Sequence, residues 1–202
     1  MTNYDVIIIG GGVSGINCGV TLASNQDKFE WSKDKKYLII DDGKSDLNKA
    51  SLFNVAGFSY GVSGVVAMSE MKEYLANFNQ LELKTETVVD VSGVRDNFKV
   101  VTSKQEYKAN MIVFATGMHQ FEITGLDLSV VEHDKVMKPN KIKIQNIDNK
   151  ISDGVYVCGL ASGVKTMYLI AAGDGCKVGC DIFQEWTGKH MVAHDSVKDA
   201  IS

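Results

Sequence analysis

From residue 4 to residue 15 the chain reads Y-D-V-I-I-I-G-G-G-V-S-G. An unbroken β-branched run passes directly into glycines and then into a stretch with helical periodicity. Such a run reads as a fully buried strand. The residues from Ser14 to about Ala23 read as a helix with Ile16, Val20 and Ala23 on one face. A strand that turns at once into a helix through G-x-G-x-x-G leaves few architectures open. Gly10 permits the tight turn, Gly12 lets an anion approach the backbone, and Gly15 lets helix and strand pack closely. The helix N-terminus then faces the anion with its free N–H groups.

A second buried strand follows at Tyr37–Ile40 and runs into Asp41-Asp42-Gly43. Parallel strands joined through a helix imply an α/β fold. Asp41 stands at the end of the second strand, where a carboxylate can bond both hydroxyls of a ribose. Its spacing from Gly15 is 26 residues, longer than the usual ~20. The polar connection from Asn25 to Lys36 accounts for the excess. These features favour a dinucleotide site over an incidental glycine-rich turn.

Downstream, residues 44–67 read as loop, punctuated by Gly57, Gly61 and Gly64. Ser69 is a plausible N-cap, and Glu70 to Asn79 reads as a helix with Met71, Tyr74, Leu75 and Phe78 inward. Short alternating segments at 83–91, 97–102 and 106–115 read as an antiparallel meander, ending in a buried strand, Met111–Ala115, that enters Thr116-Gly117. Residues 118–150 are polar, with an edge strand expected at 141–145. A last buried strand, Val155–Cys158, stops at Gly159, and a long helix is expected from about Thr166 to Trp186. The expected organisation is a single domain over 1–188 and a C-terminal tail over 189–202.

Composition removes several classes. Hydrophobic residues make up 45% of the 202 and charged residues 23%, so a packed core is expected and disorder is not. A net charge of −4 argues against nucleic acid, whose phosphates need a basic face. No apolar run approaches the ~20 residues that span a bilayer, and the run at 6–9 is too short for a secretion signal. Cys18, Cys158, Cys176 and Cys180 form no C-x-x-C and are too scattered for a disulfide framework. A soluble, cytoplasmic protein is therefore expected. No metal site is expected: His190 and His194 lie four apart in the tail with no third ligand. Cys176 and Cys180 also lie four apart on the last helix, where packing outweighs a redox or metal pair. Cys158 reads as core, and Cys18 as a spacer facing out of the first helix.

Three further stretches carry a family resemblance. They are Asn54-Val-Ala-Gly-Phe-Ser-Tyr-Gly-Val-Ser-Gly64, Val113-Phe-Ala-Thr-Gly117, and Gly154-Val-Tyr-Val-Cys-Gly159 with Ala171-Ala-Gly-Asp-Gly175. Occurring in this order around G-x-G-x-x-G, they resemble the thioredoxin reductase family of flavoproteins. The resemblance implies a Rossmann-like FAD-binding domain with a central, mostly parallel sheet and a crossing antiparallel β-meander. It implies FAD as cofactor, held at the ADP half by Gly10, Gly12, Val13, Ser14, Gly15, Asp41 and Asp42. Asn54 and Asn48 would bond the ribityl or ring side, and Val89 would sit by the adenine. Ala115, Thr116 and Gly117 would pass close to the cofactor. Gly159, Leu160, Met167 and Tyr168 would border the isoalloxazine. Tyr168 would either cover the ring or be a core aromatic, and His119 would either act on the ring as an acid or be a simple loop histidine.

The chain also departs from that family. Its nicotinamide-binding domain and redox C-x-x-C lie between the A-T-G strand and the closing motif, where here about 36 residues separate Gly117 from Gly154. Leu160 stands where the closing motif carries an Asp, and Thr166 and Met167 stand where it carries Arg and Gln. The implied activity is that of a minimal FAD-dependent oxidoreductase taking electrons from NAD(P)H or a partner protein. The electron donor, the acceptor and the catalytic residues are left open, and a homodimer is suggested only by the resemblance and by the large surface that the missing domain would have covered. The alternatives are a non-enzymatic flavin-binding module and, less consistent with the A-T-G strand, an NAD-binding protein.

Overall fold

The computed structural model describes residues 2–26 and 28–190. Four strands run in parallel from one edge of the main sheet: β1 (Asn3–Ile9), β2 (Tyr37–Asp41), β5 (Leu81–Thr85) and β8 (Glu106–Phe114), in the order β5-β2-β1-β8. Between β2 and β5 lies a short antiparallel hairpin, β3 (Ser51–Leu52) with β4 (Val62–Ser63). β1 is central because every side chain from Val6 to Ile9 is buried. Its alternation sends Val6 and Ile8 into the core on one face of the sheet, and Ile7 and Ile9 into the core on the other. Each such isoleucine contributes about 1.5–3 kcal/mol relative to exposure.

β8 is shared between two layers. Its first half pairs antiparallel with β7 (Phe98–Thr102), which pairs with β6 (Val88–Ser92) and, beyond it, β9 (Thr124–Gly125). Its second half pairs in parallel with β13 (Val155–Val157), and β12 (Lys150–Ser152) folds back against β13. The meander therefore branches off the parallel sheet, as expected. A separate hairpin, β10 (Val130–Glu132) with β11 (Ile142–Ile144), occupies the segment between them.

Among the described residues three α-helices, α1 (Val13–Ala23), α2 (Gly64–Tyr74) and α3 (Tyr168–Thr187), complete the fold. α1 and α3 pack on each other at backbone distance. A methyl carbon on Gly175 would lie 2.1 Å from the Ser14 carbonyl oxygen, and one on Gly179 would lie 2.7 Å from the Thr21 side chain. No helix among the described residues is long and apolar enough to cross a membrane.

The structure corrects several expectations. α2 starts at Gly64 with the Ser63 hydroxyl accepting from Val66 N–H at 3.3 Å, so Ser69 lies inside the helix rather than capping it. Residues 75–77 form a 3-10 turn instead of continuing it, and Tyr74 is 57% exposed instead of inward. Residues 44–67 hold a 3-10 turn at Asp46–Lys49, the β3–β4 hairpin and the start of α2. The segment 83–91 is two elements: β5 joins the parallel sheet beside β2, and only β6 belongs to the meander. The strand expected at 141–145 pairs with β10 outside the main sheet. Cys18 is fully buried, because α1 meets the sheet on one side and α3 on another. His194 lies outside the described residues.

At the turn from β5 to β6, buried Glu86 accepts from Thr102 Oγ1 at 2.6 Å, Tyr107 OH at 2.9 Å and Gln105 Nε2 at 3.0 Å. Burial pushes the carboxyl up. These hydrogen bonds and the charge of Lys104 outweigh it and hold Glu86 below its ordinary value.

Candidate functional site

The carboxyl ends of β1, β2 and β8 meet at one edge of the sheet, where open α/β folds hold their ligands. Gly10 leaves β1 with φ +112° and donates to Ile40 O at 2.8 Å. A Cβ there would stand 2.3 Å from the Ala115 carbonyl oxygen, so β1 and β8 close over a residue that must be glycine. A Cβ on Gly15 would lie 1.9 Å from Gly10 O, which fixes the first turn of α1 directly on the glycine loop.

The N-terminus of α1 is open. Gly12 is its N-cap, no side chain caps it, and its first turn holds no acidic residue. The space over Gly12 is clear to Ser45 Oγ at 3.7 Å. Val13, Ser14 and Gly15 therefore offer first-turn N–H groups with no capping side chain, an arrangement suited to an anion.

Asp41 lies against this loop, 4% exposed. Its Oδ1 accepts from Gly11 N–H at 3.2 Å, and its Oδ2 meets Lys72 Nζ at 2.7 Å. Lys72 comes from α2 and is absent from the residues the sequence singled out. Its signal was its position, four residues after Met68 and three before Leu75, at the margin of the buried stripe of that helix. Asp42 points away, accepting from Lys44 N–H at 3.0 Å and pairing with Lys44 Nζ at 3.4 Å.

On the other side of the loop, Ala115 is buried with its Cβ 3.2 Å from where a Cβ on Gly15 would be. Thr116 Oγ1 is buried with no hydrogen-bond partner, and Gly117 (φ +76°) leaves its surroundings clear. Gly159 turns over the Ser14 side chain at the end of β13. Its N–H donates to Asp174 Oδ2 at 2.7 Å, and the same carboxylate accepts from Ser162 Oγ and Asn149 Nδ2. Asp174 thus organises the turn that holds the half-buried Leu160.

Met167 is the N-cap of α3 and meets Asn54 Nδ2 through its sulfur at 3.8 Å, so two expected site residues come together. Tyr168 stands edge-on to Phe58 at 5.6 Å and donates to the Met71 sulfur at 3.2 Å. It lines a cleft of about 270 Å³ together with Ile16, Asn17 and Val20. Burial raises its phenol above the ordinary value. A second cavity, of about 360 Å³, lies on the meander around Asn97, Lys99 and Glu106, away from the glycine loop.

Asn48 is exposed in the 3-10 turn that follows Ser45, and Val89 is 44% exposed on β6. Val89 sits three residues beyond Glu86, whose N–H donates to Asp41 O at 3.1 Å. His119 is held between Asp46 Oδ2 at 2.7 Å and Lys141 Nζ at 3.0 Å. That contact ties the loop after β2 to the β10–β11 hairpin, a pairing of residues far apart in sequence that no local pattern announces.

The residues from 4 to 165 match the model of the pyridine nucleotide-disulphide oxidoreductases. The chain belongs to that family. Among curated relatives, two proteins named uncharacterized oxidoreductase CzcO are similar to it. The one from Bacillus velezensis is 27% identical over 144 residues, covering 64% of this chain and 41% of the relative. The one from Bacillus subtilis is 28% identical over 127 residues, covering 56% and 36%. The chain thus spans less than half the length of the curated relatives it matches. Among solved structures, a thioredoxin reductase from Gloeobacter violaceus superposes with a TM-score of 0.74 at 14% identity, covering 98% of this chain and 99% of that one. An oxidoreductase from Agrobacterium tumefaciens gives 0.71 at 12% identity, covering 92% and 99%. These likenesses establish the fold.

Proposed function

We propose that this member of the family binds FAD along the edge formed by the glycine loop, Asp41 and the turn at Gly159. In this reading it serves as a minimal oxidoreductase that passes electrons from NAD(P)H or a partner protein to an acceptor. The observation that carries the reading is the uncapped N-terminus of α1 over Gly12, clear to 3.7 Å, beside the buried and ion-paired Asp41. The diphosphate would face the first-turn N–H groups of Val13, Ser14 and Gly15. Each oxygen of Asp41 has one partner and capacity for another, so the carboxylate can still accept from ribose hydroxyls.

The flavin half finds fewer polar partners. Thr116 Oγ1 is a buried hydroxyl without a hydrogen bond, which a ligand atom would satisfy. Leu160 has no polar group for a ribityl hydroxyl, while Met167 and Tyr168 offer an apolar and aromatic border. Bound flavin supplies the two-electron chemistry, and this chain's residues hold it and shape access to it. Leu160 also favours a second reading, a flavin-binding module without turnover of its own.

The deciding experiment is the visible spectrum of purified protein, with and without added FAD, followed by NADPH under anaerobic conditions. Flavin bands that bleach support the reductase. Bands that persist with NADPH, and also with a dye acceptor couple, support the module. No flavin bands after incubation with FAD overturn both.

A further inference from the structure

Asp41 is not a free carboxylate waiting for a ribose. Its side chain is 6% exposed, and a Cβ on Gly11 would lie 2.6 Å from its Cβ and Cγ, so it is packed onto the glycine loop. One oxygen is fixed by the Gly11 N–H and the other by Lys72 Nζ at 2.7 Å. Lys72 projects from α2, whose start is itself set in place. A Cβ on Gly64 would lie 1.7 Å from Leu47 O, and Met68 and Met71 are buried beside it. The cation is therefore delivered to Asp41 by a helix anchored on the loop that follows β2.

We infer that Lys72 is a positioning residue of the nucleotide site, which fixes the carboxylate of Asp41 so that it recognises the 2′,3′-diol of an adenosine ribose. The inference rests on the proposed nucleotide site and adds to it a residue from outside the strand–loop–helix motif. An ammonium group carries three donor hydrogens. One satisfies Asp41, and the side chain, 35% exposed, leaves the others facing outward. The carboxylate is fixed in one rotamer between the two donors, which leaves its remaining lone pairs to the ligand. Without the lysine, a buried carboxylate with a single backbone donor turns toward water, and that change removes the diol acceptor.

The experiment compares ADP with 2′,3′-dideoxy-ADP by titration calorimetry, on wild type, Lys72→Met, Lys72→Gln and Lys72→Arg, with ligand-free melting temperatures measured alongside. A charge-assisted hydrogen bond corresponds to roughly tenfold or more in affinity. Wild type is expected to prefer ADP by about tenfold. In Lys72→Met and Lys72→Gln the preference is expected to fall below about threefold with dideoxy-ADP affinity unchanged, and Lys72→Arg is expected to restore it. If wild type binds ADP and the variants discriminate as it does, the inference is overturned. It is equally overturned if both ligands weaken together, which is what loss of α2 docking alone would produce. If wild type binds neither ADP nor FAD, the nucleotide site itself is wrong, and that failure is distinct from the first two.

Discussion

Replacing Gly175 with alanine places a methyl carbon 2.1 Å from the Ser14 carbonyl oxygen and within 3.0 Å of the Ser14 Cα and carbonyl carbon. Those are backbone atoms in the first turn of α1, so no side chain can swing aside. Reaching a tolerable contact requires α1 and α3 to separate by about 1 Å, and overpacking of this kind costs about 1–3 kcal/mol. Alanine returns about 1 kcal/mol as the better helix former, leaving a net loss of up to about 2 kcal/mol. For a chain of this size 1 kcal/mol shifts the melting temperature by about 2–4 °C, so Gly175→Ala is expected to lower it by up to about 8 °C. Two residues earlier, Gly173 lies in the same helix with nothing within 4 Å of a Cβ. Gly173→Ala therefore keeps the helical gain alone and is expected to raise the melting temperature by about 2–4 °C. Differential scanning calorimetry on the two variants reads the sign directly. If both rise, α1 and α3 do not approach as described, and the argument for a fixed α1 N-terminus fails with it.

Further consequences are open to direct measurement. Because Glu86 is held below its ordinary value, it contributes stability above the unfolded carboxylate range, and that contribution is lost as pH falls through its lowered folded value. Wild type should therefore exceed Glu86→Gln in stability by about 1–3 kcal/mol near neutrality. The gap should narrow as urea melts are taken below about pH 4.5, and a gap constant down to pH 3 would refute the account. Thr116→Val removes a buried hydroxyl that has no partner. Ligand-free protein should be unchanged or more stable by about 1 kcal/mol, whereas FAD affinity should drop severalfold. An unchanged affinity would place Thr116 outside the flavin site. Leu160→Asp supplies a carboxylate at the position where the family pattern has one and should tighten FAD two- to tenfold, about the worth of one added hydrogen bond. Fluorescence titration decides it, and weaker binding would mean that the Gly159 turn presents this side chain elsewhere.

The first strand, the glycine loop, α1, β2, β8, β13 and α3 were legible because each is announced locally. Their buried stretches, 6–9, 37–40, 111–115 and 155–158, are unbroken apolar runs, and glycines stand where backbones touch. What escaped was set by distant partners. α2 opens with Gly64-Val65-Val66, poor helix formers whose valines are exposed, so no helical period begins there. β5 alternates like a meander strand because it is a half-exposed edge, and only its register with β2 assigns it to the parallel sheet. Cys18 is expected to face out of α1 as a spacer, but α1 is buried on two sides, and its second buried side, against α3, is read from Gly175 and Gly179 some 160 residues away. Lys72 and Asp41 are 31 residues apart, and a lysine on an amphipathic helix gives no sign of its partner.

The route of the chain between β8 and β13 has a consequence for how this architecture can vary. The backbone leaves the sheet at Phe114, at the carboxyl edge, and comes back to the same edge by descending along β12 before it turns into β13, the neighbour of β8. Departure and re-entry share that edge, and of the intervening polypeptide only β9, paired with β6, joins the main sheet. Beyond the contacts of β9 and of the β10–β11 hairpin, a longer segment pays only for loop closure, at about 0.6 kcal/mol for each doubling. Expanding the roughly 36 residues between Gly117 and Gly154 fourfold would cost only about 1.2 kcal/mol on that account. The fold thus carries a socket at which a whole module can be inserted, exchanged or trimmed to a hairpin. Whatever occupies the socket is tethered at the edge where Gly12, Thr116 and Gly159 converge.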